Sequence, residues 1–171
     1  LWDLSQGERV RGLEKPHPPV KGLAFSADSQ RLVTGSLDGS VRLWNVADGK
    51  LVAEAKHEQS ARHVASLGEN GKWFASAHAD KVIRVWGLPA EDGGEVKMLK
   101  ELKGHSGEIT TLASMPNHPK QVVSGAKDNT ARIWSAESGA VIRSISVGAP
   151  VDDLVVSPDG KRIATAGGTN Y

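Results

Sequence analysis

The chain has 171 residues, 39% hydrophobic and 24% charged, a balance that supports a packed core and requires neither disorder nor a membrane span. Lys and Arg number 21 against 20 Asp and Glu, so there is no charge excess to draw the chain to nucleic acid or anionic lipid. Cysteine is absent, which excludes disulfides, thiolate zinc sites and cysteine nucleophiles while leaving both oxidising and reducing compartments open, the cytoplasm slightly favoured.

From the N-terminus, Leu1-Trp2 reads as the end of one strand and Arg9 to Leu13 as the next. Val20 to Phe25 then predicts a strand, Ser26-Ala27-Asp28-Ser29 a turn, Arg31 to Ser36 a second strand and Leu37-Asp38-Gly39 a tight turn. Ser40 to Trp44 and Leu51 to Ala55 supply strands three and four. Alternating side chains bounded at short intervals by Gly, Asp and Ser predict antiparallel hairpins and almost no helix. The same order recurs twice, giving units at roughly 17–56, 57–103 and 104–146 with end pieces 1–16 and 147–171. In the last piece, Val151 to Val156 and Arg162 to Gly167 flank the turn Ser157-Pro158-Asp159-Gly160. Trp2, Trp44, Trp86 and Trp134 mark the repeat, and an insertion around Leu88 to Glu95 lengthens the last interval.

A second pattern accompanies the tryptophans. The third unit carries Gly104-His105, Ser124-Gly125-Ala126, Asp128 and Trp134. The second has His57, Ser76, Asp80 and Trp86, with Lys56 before the histidine. The first has His17, Thr34, Asp38 and Trp44, with Pro16 before the histidine. In all three, Asp precedes Trp by six residues. These residues resemble the WD-repeat (WD40) family of β-propellers over essentially the whole chain. The resemblance implies an all-β propeller of four-stranded antiparallel blades, three complete and two partial. It also implies, within each blade, a hydrogen-bonded chain from turn Asp to loop His to strand Ser or Thr to the Trp indole N–H. The family's ring sizes imply that 1–171 is a single array within a larger propeller. A four-blade ring closed by the end pieces, with Thr169 at the aspartate position and Tyr171 preceding Leu1, is one alternative; a dimeric eight-blade ring formed through open blade edges is another.

His105, Ser124 and Asp128 could be read as a hydrolase triad, but an active site occurs once and this set recurs in every full unit. His57, His63 and His78 lack the spacing of a compact metal motif, so His57 is assigned to its blade's hydrogen-bonded chain and the others to loops or surface. Asp152-Asp153 with Asp159 lacks the alternating ligands of a calcium loop, and no glycine-rich phosphate loop opens a helix. No cofactor or metal is therefore expected. Lys97, Lys100 and Lys103 read as a solvated strand face.

The resemblance implies that loops at the propeller's rim dock protein or peptide partners. The residues before each turn Asp, namely Leu37, Ala79 and Lys127, are the candidates, together with Glu108 and Arg62 on the same side. The function expected is a non-catalytic protein-interaction scaffold, with a nucleic-acid binder disfavoured by the charge balance. The turns Ser-Pro-Asp-Gly-Lys and Ser-Ala-Asp-Ser-Gln resemble those of bacterial members. The alternative is thus a non-catalytic propeller module of a larger bacterial multidomain enzyme or signalling protein.

Overall fold

Short runs rich in β-branched residues, interrupted every few positions by Asp, Gly or Ser, cannot build a helix face and pair into hairpins instead. The computed structural model describes residues 1–13, 18–67, 72–88 and 94–168, and among them all regular structure is β-strand. An N-terminal hairpin, β1 (Trp2–Asp3) and β2 (Glu8–Arg9), comes first. The first four-stranded sheet follows as β3 (Val20–Phe25), β4 (Arg31–Ser36), β5 (Ser40–Asn45) and β6 (Leu51–Lys56). The second comprises β7 (Ala61–Leu67), β8 (Trp73–His78), β9 (Ile83–Gly87) and β10 (Lys97–Leu102). The third comprises β11 (Ile109–Ser114), β12 (Gln121–Ala126), β13 (Thr130–Ser135) and β14 (Val141–Ser146). A final pair, β15 (Val151–Val156) and β16 (Ile163–Gly167), ends the array.

Each four-stranded sheet is an antiparallel meander in sequence order, the form of a propeller blade. The first strand of each four-stranded sheet and of the final pair is bulged at the same place, between Val20 and Gly22, Ala61 and His63, Ile109 and Thr111, and Val151 and Asp153. An extra residue there increases the local twist. The first strands β3, β7, β11 and β15 lie side by side in succession.

The core lies between successive blades. Val33, Val41, Leu43 and Ala53 of the first meet Phe74 and Trp86 of the second. Ala75, Ile83, Val85 and Leu102 of the second meet Val122 and Trp134 of the third. Val123 and Ile133 of the third meet Val151, Leu154 and Ile163 of the last pair. In the second and third blades the repeated Trp thus faces the preceding blade. Ile83 and Val85 are fully buried, and each such side chain contributes about 1.5–3 kcal/mol by leaving water.

The N-terminal hairpin differs from the expected Arg9 to Leu13 strand. Asp3 Oδ1 accepts the Ser5 N–H at 2.7 Å and Gly7 N donates to Asp3 O at 2.8 Å. This tight turn returns the chain early and places the short second strand at Glu8–Arg9. The last strand begins at Ile163, one residue later than expected, and the Arg162 N–H before it bonds Ser157 Oγ at 3.0 Å. Pro16, His17, Thr169, Tyr171 and the centre of the Leu88 to Glu95 insertion lie outside the described residues.

Candidate functional site

The Asp-bearing turns of the three blades face one rim, at the end of the sheets where each first strand begins. In the third blade, His105 enters from the loop after β10 through Gly104, whose φ of 152° suits glycine. Its Nδ1 lies 2.8 Å from Asp128 Oδ2 and its Nε2 2.7 Å from Ser124 Oγ. Trp134 Nε1 donates to the same Ser124 Oγ at 2.8 Å. Asp128 also accepts the Ser106 N–H at 2.9 Å and the Thr130 hydroxyl at 2.6 Å. Arg132 lies over the Trp134 ring at 5.8 Å from its centroid. Burial pushes the Asp128 carboxyl upward, but the hydrogen bonds from Thr130, His105 and Ser106 outweigh it and hold the group well below the usual carboxylate range. Burial likewise lowers His105, opposed by Asp128.

The second blade is wired differently, and His57 does not take the position expected for it. The position corresponding to Gly104 is Lys56, the last residue of β6, and a side chain there disfavours glycine-like loop entry. His57 Nδ1 instead accepts the Gln59 N–H at 3.1 Å. The histidine beside Ser76 is His78, at the end of β8, where the other blades carry the small residues Ser36 and Ala126. His78 is 2% exposed, so it is neither a loop nor a surface residue. Its Nε2 lies 2.7 Å from Ser76 Oγ, which also receives Trp86 Nε1–H at 2.7 Å. Its Nδ1 lies 2.9 Å from the Gln59 carbonyl oxygen. Asp80, without a histidine, is gripped by Arg84 through two bonds of 3.1 and 2.6 Å. Burial raises Asp80, but Arg84 outweighs it and the carboxyl lies below its ordinary value.

In the first blade, Trp44 Nε1 donates to Thr34 Oγ1 at 3.0 Å. Asp38 accepts the Ser40 N–H at 3.0 Å and faces Arg42 at 3.5 Å, while Arg42 also reaches Glu54 at 3.0 Å. Burial raises Asp38; its bonds to Ser40 and the Arg42 charge prevail and lower it. Gly39, at φ 81°, brings this turn so close to His57 that a Cβ would overlap the His57 carbonyl oxygen.

The five rim candidates share this side. Leu37 is 39% exposed, and Ala79 and Lys127 are exposed. Arg62 pairs with Glu108 across the second and third blades, and Lys127 pairs with Asp152 across the third blade and the last strand pair. Lys81 Nζ donates to Ser106 O at 2.8 Å, adding a third link between neighbours. Sequence reasoning missed the roles of His78 and Asp152 and the arginines two residues before Trp44, Trp86 and Trp134. Three histidines in a unit with one histidine position, and the recurrence of Arg42, Arg84 and Arg132, were the available signals. Among the described residues, no group of three or more His, Cys, Asp or Glu is placed to hold a metal ion.

A family model described as WD domain, G-beta repeat matches residues 7–45, 49–87 and 96–135. Protein tipD of Dictyostelium discoideum is 29% identical over 170 residues, covering 96% of this chain and 27% of that protein. Human apoptotic protease-activating factor 1 is 27% identical over 176 residues, covering 98% of this chain and 13% of the relative. THO complex subunit 3 of Arabidopsis thaliana is 28% identical over 102 residues, covering 60% of this chain and 32% of the relative. The chain therefore spans between 13% and 32% of these relatives' lengths.

Proposed function

Because the chain belongs to the WD40 repeat family, we propose that it is a protein-interaction scaffold whose turn rim docks a protein or peptide partner and which carries no catalysis of its own. The observation that carries this reading is the run of exposed groups along one rim: Leu37, Ala79, and the pairs Arg62–Glu108 and Lys127–Asp152. Exposed ion pairs of this kind contribute about 0–1 kcal/mol to folding, so a partner can exchange them for its own charges at little cost. The turns beneath are tied by backbone bonds, Leu37 N to Pro19 O at 3.1 Å, Ala79 N to Ser60 O at 3.1 Å and Lys127 N to Glu108 O at 2.8 Å. A surface already held in place loses little conformational freedom on binding, and its charges set orientation and on-rate. The name of the Arabidopsis relative, a complex subunit, is in keeping with a role in assembly.

The test is a paired comparison of partners cross-linked in cells by the wild-type protein and by a Leu37→Asp, Lys127→Glu variant with an unchanged thermal transition. Loss or marked weakening of a defined subset of partners is expected. Retention of every partner at wild-type level would remove the rim as the docking surface.

A further inference from the structure

The hydrogen bonds of the second blade all run one way. The Gln59 carbonyl oxygen can only accept, so His78 Nδ1, 2.9 Å away, carries the ring proton. Nε2 is then an acceptor and takes the Ser76 hydroxyl proton at 2.7 Å, while Ser76 Oγ receives Trp86 Nε1–H. The chain Trp86 to Ser76 to His78 to Gln59 is complete when the imidazole is neutral. A second proton, on Nε2, would face the Ser76 hydroxyl donor and force that hydroxyl to give up its acceptor.

The surroundings offer the resulting cation little compensation. The charged and titratable groups facing His78 are Arg84 from β9, His57 from the preceding loop and Asp80 from the following turn. Arg84 and His57 oppose a positive ring. Asp80 favours one, but both its oxygens are engaged by Arg84, which Glu101 of β10 also holds at 3.1 Å. In the third blade the equivalent imidazole faces the Asp128 carboxylate directly.

What His78 holds is a rim segment. His57 N donates to Gly39 O at 3.0 Å, Ser60 Oγ to Leu37 O at 2.7 Å, and Ala79 N to Ser60 O at 3.1 Å. Residues 57–60 thus bridge the turns of the first and second blades, with Leu37 on one side and Ala79 on the other.

We propose that residues 57–60 form an acid-released latch: proton uptake by His78 frees this segment and loosens the Leu37 and Ala79 part of the rim, while the third blade, whose imidazole bonds a carboxylate, loosens less. The latch does not depend on the rim being a docking surface. Burial lowers His78 to about 4, whereas the ring in an opened segment regains its ordinary value near 6.5. Acid therefore favours the opened form between those limits, and moving from pH 7.5 to pH 5.0 multiplies the opening equilibrium by roughly 30.

Hydrogen exchange on the intact chain at the two pH values tests this, with rates divided by their intrinsic values to give protection factors. The Ala79 amide should lose protection by roughly 30-fold, while the corresponding Lys127 amide of the third blade, bonded to Glu108 O, should lose clearly less, because the Asp128 carboxylate offsets part of the burial that lowers His105. In His78→Gln, which cannot titrate, the pH dependence at Ala79 should vanish. Constant protection at Ala79 in the wild type, or a parallel loss at Lys127, would overturn the proposal. So would an undiminished pH effect in the folded His78→Gln chain. If that variant does not fold, the wild-type comparison of the two amides decides the question alone.

Discussion

Replacing Asp128 with Ala removes one carboxylate that serves four donors at once. His105 Nδ1 lies at 2.8 Å, Ser106 N at 2.9 Å, Thr130 N at 3.1 Å and Thr130 Oγ1 at 2.6 Å. The Asp128 and His105 side chains are 5% and 1% exposed, so water cannot readily replace the lost acceptor. One buried donor left unpaired costs about 1–3 kcal/mol; the hydroxyl and the loop amide can re-pair in part, which places the total at about 3 kcal/mol. For a chain of this size that lowers the Tm by roughly 6–12 °C. The control is Asp159→Ala. That carboxylate sits on an exposed turn, where it accepts from Ser157 Oγ at 2.6 Å and Lys161 N at 3.0 Å, and its loss should leave the transition nearly unmoved. Urea and thermal denaturation of the three chains in parallel provide the measurement. The Asp128 carboxyl titrates below its unfolded value near 3.8 in the native state. Its contribution is thus fully present above that pH and is lost as pH falls through the lower native value, so the gap between wild type and variant should close in strong acid. Equal, small losses for Asp128→Ala and Asp159→Ala would refute the claim that the buried carboxylate fixes the blade's loop.

Three further outcomes follow from the packing and charge pattern. Gly125→Ala should destabilise by about 1–3 kcal/mol, because a Cβ would lie 2.5 Å from Val151 Cγ1 and 2.8 Å from Thr111 Cγ2; a calorimetric Tm equal to or above wild type would mean that β12 and β15 are less closely packed than described. Glu108→Ala should cost under about 1 kcal/mol, since both members of its ion pair are nearly half exposed, and a larger loss in urea denaturation would assign it a structural role. Arg84→Ala should cost more than Arg132→Ala. Arg84 is 3% exposed and holds both Asp80 and Glu101, whereas Asp128 keeps four other donors when Arg132, 3.8 Å away, is lost. The order of the two midpoints on urea denaturation checks this, and a reversed order would contradict it.

The fold was legible because its determinants are local and repeated. Asp and Ser in the turns, alternating strands and a Trp six residues after each turn Asp appear three times, and the four strands of the first sheet begin and end within a residue of those drawn for the first unit. The histidines were less legible, because a ring can reach the same Ser hydroxyl from two places. His105 arrives from the loop and His78 from the strand end two residues before Asp80. A pattern aligned on the loop histidine assigns His57 by sequence position, while the ring beside Ser76 is determined by space. The cross-blade pairs of Arg62 with Glu108 and Lys127 with Asp152 depend on how neighbouring blades stack, which no single repeat encodes.

The three turns differ in what stands opposite the aspartate, and the differences compensate one another. Where a histidine and a Thr hydroxyl both bond the carboxylate, the arginine two residues before Trp remains at 3.8 Å. Where the histidine is turned to a backbone carbonyl and Val82 replaces the hydroxyl residue, Arg84 closes on Asp80 through two bonds. Among the described residues of the first blade, Ser40 bonds Asp38 and Arg42 is divided between Asp38 and Glu54. In all three the carboxyl is held below its ordinary value. The aspartate is therefore the constant element of the turn, and histidine and arginine are alternative ways of satisfying it. The substitution is electrically sufficient for Asp80 but not for His78, which is left between a hydroxyl and a carbonyl with no carboxylate of its own. The same exchange that preserves the turn thus leaves an imidazole that must stay neutral directly beneath the segment joining two blades.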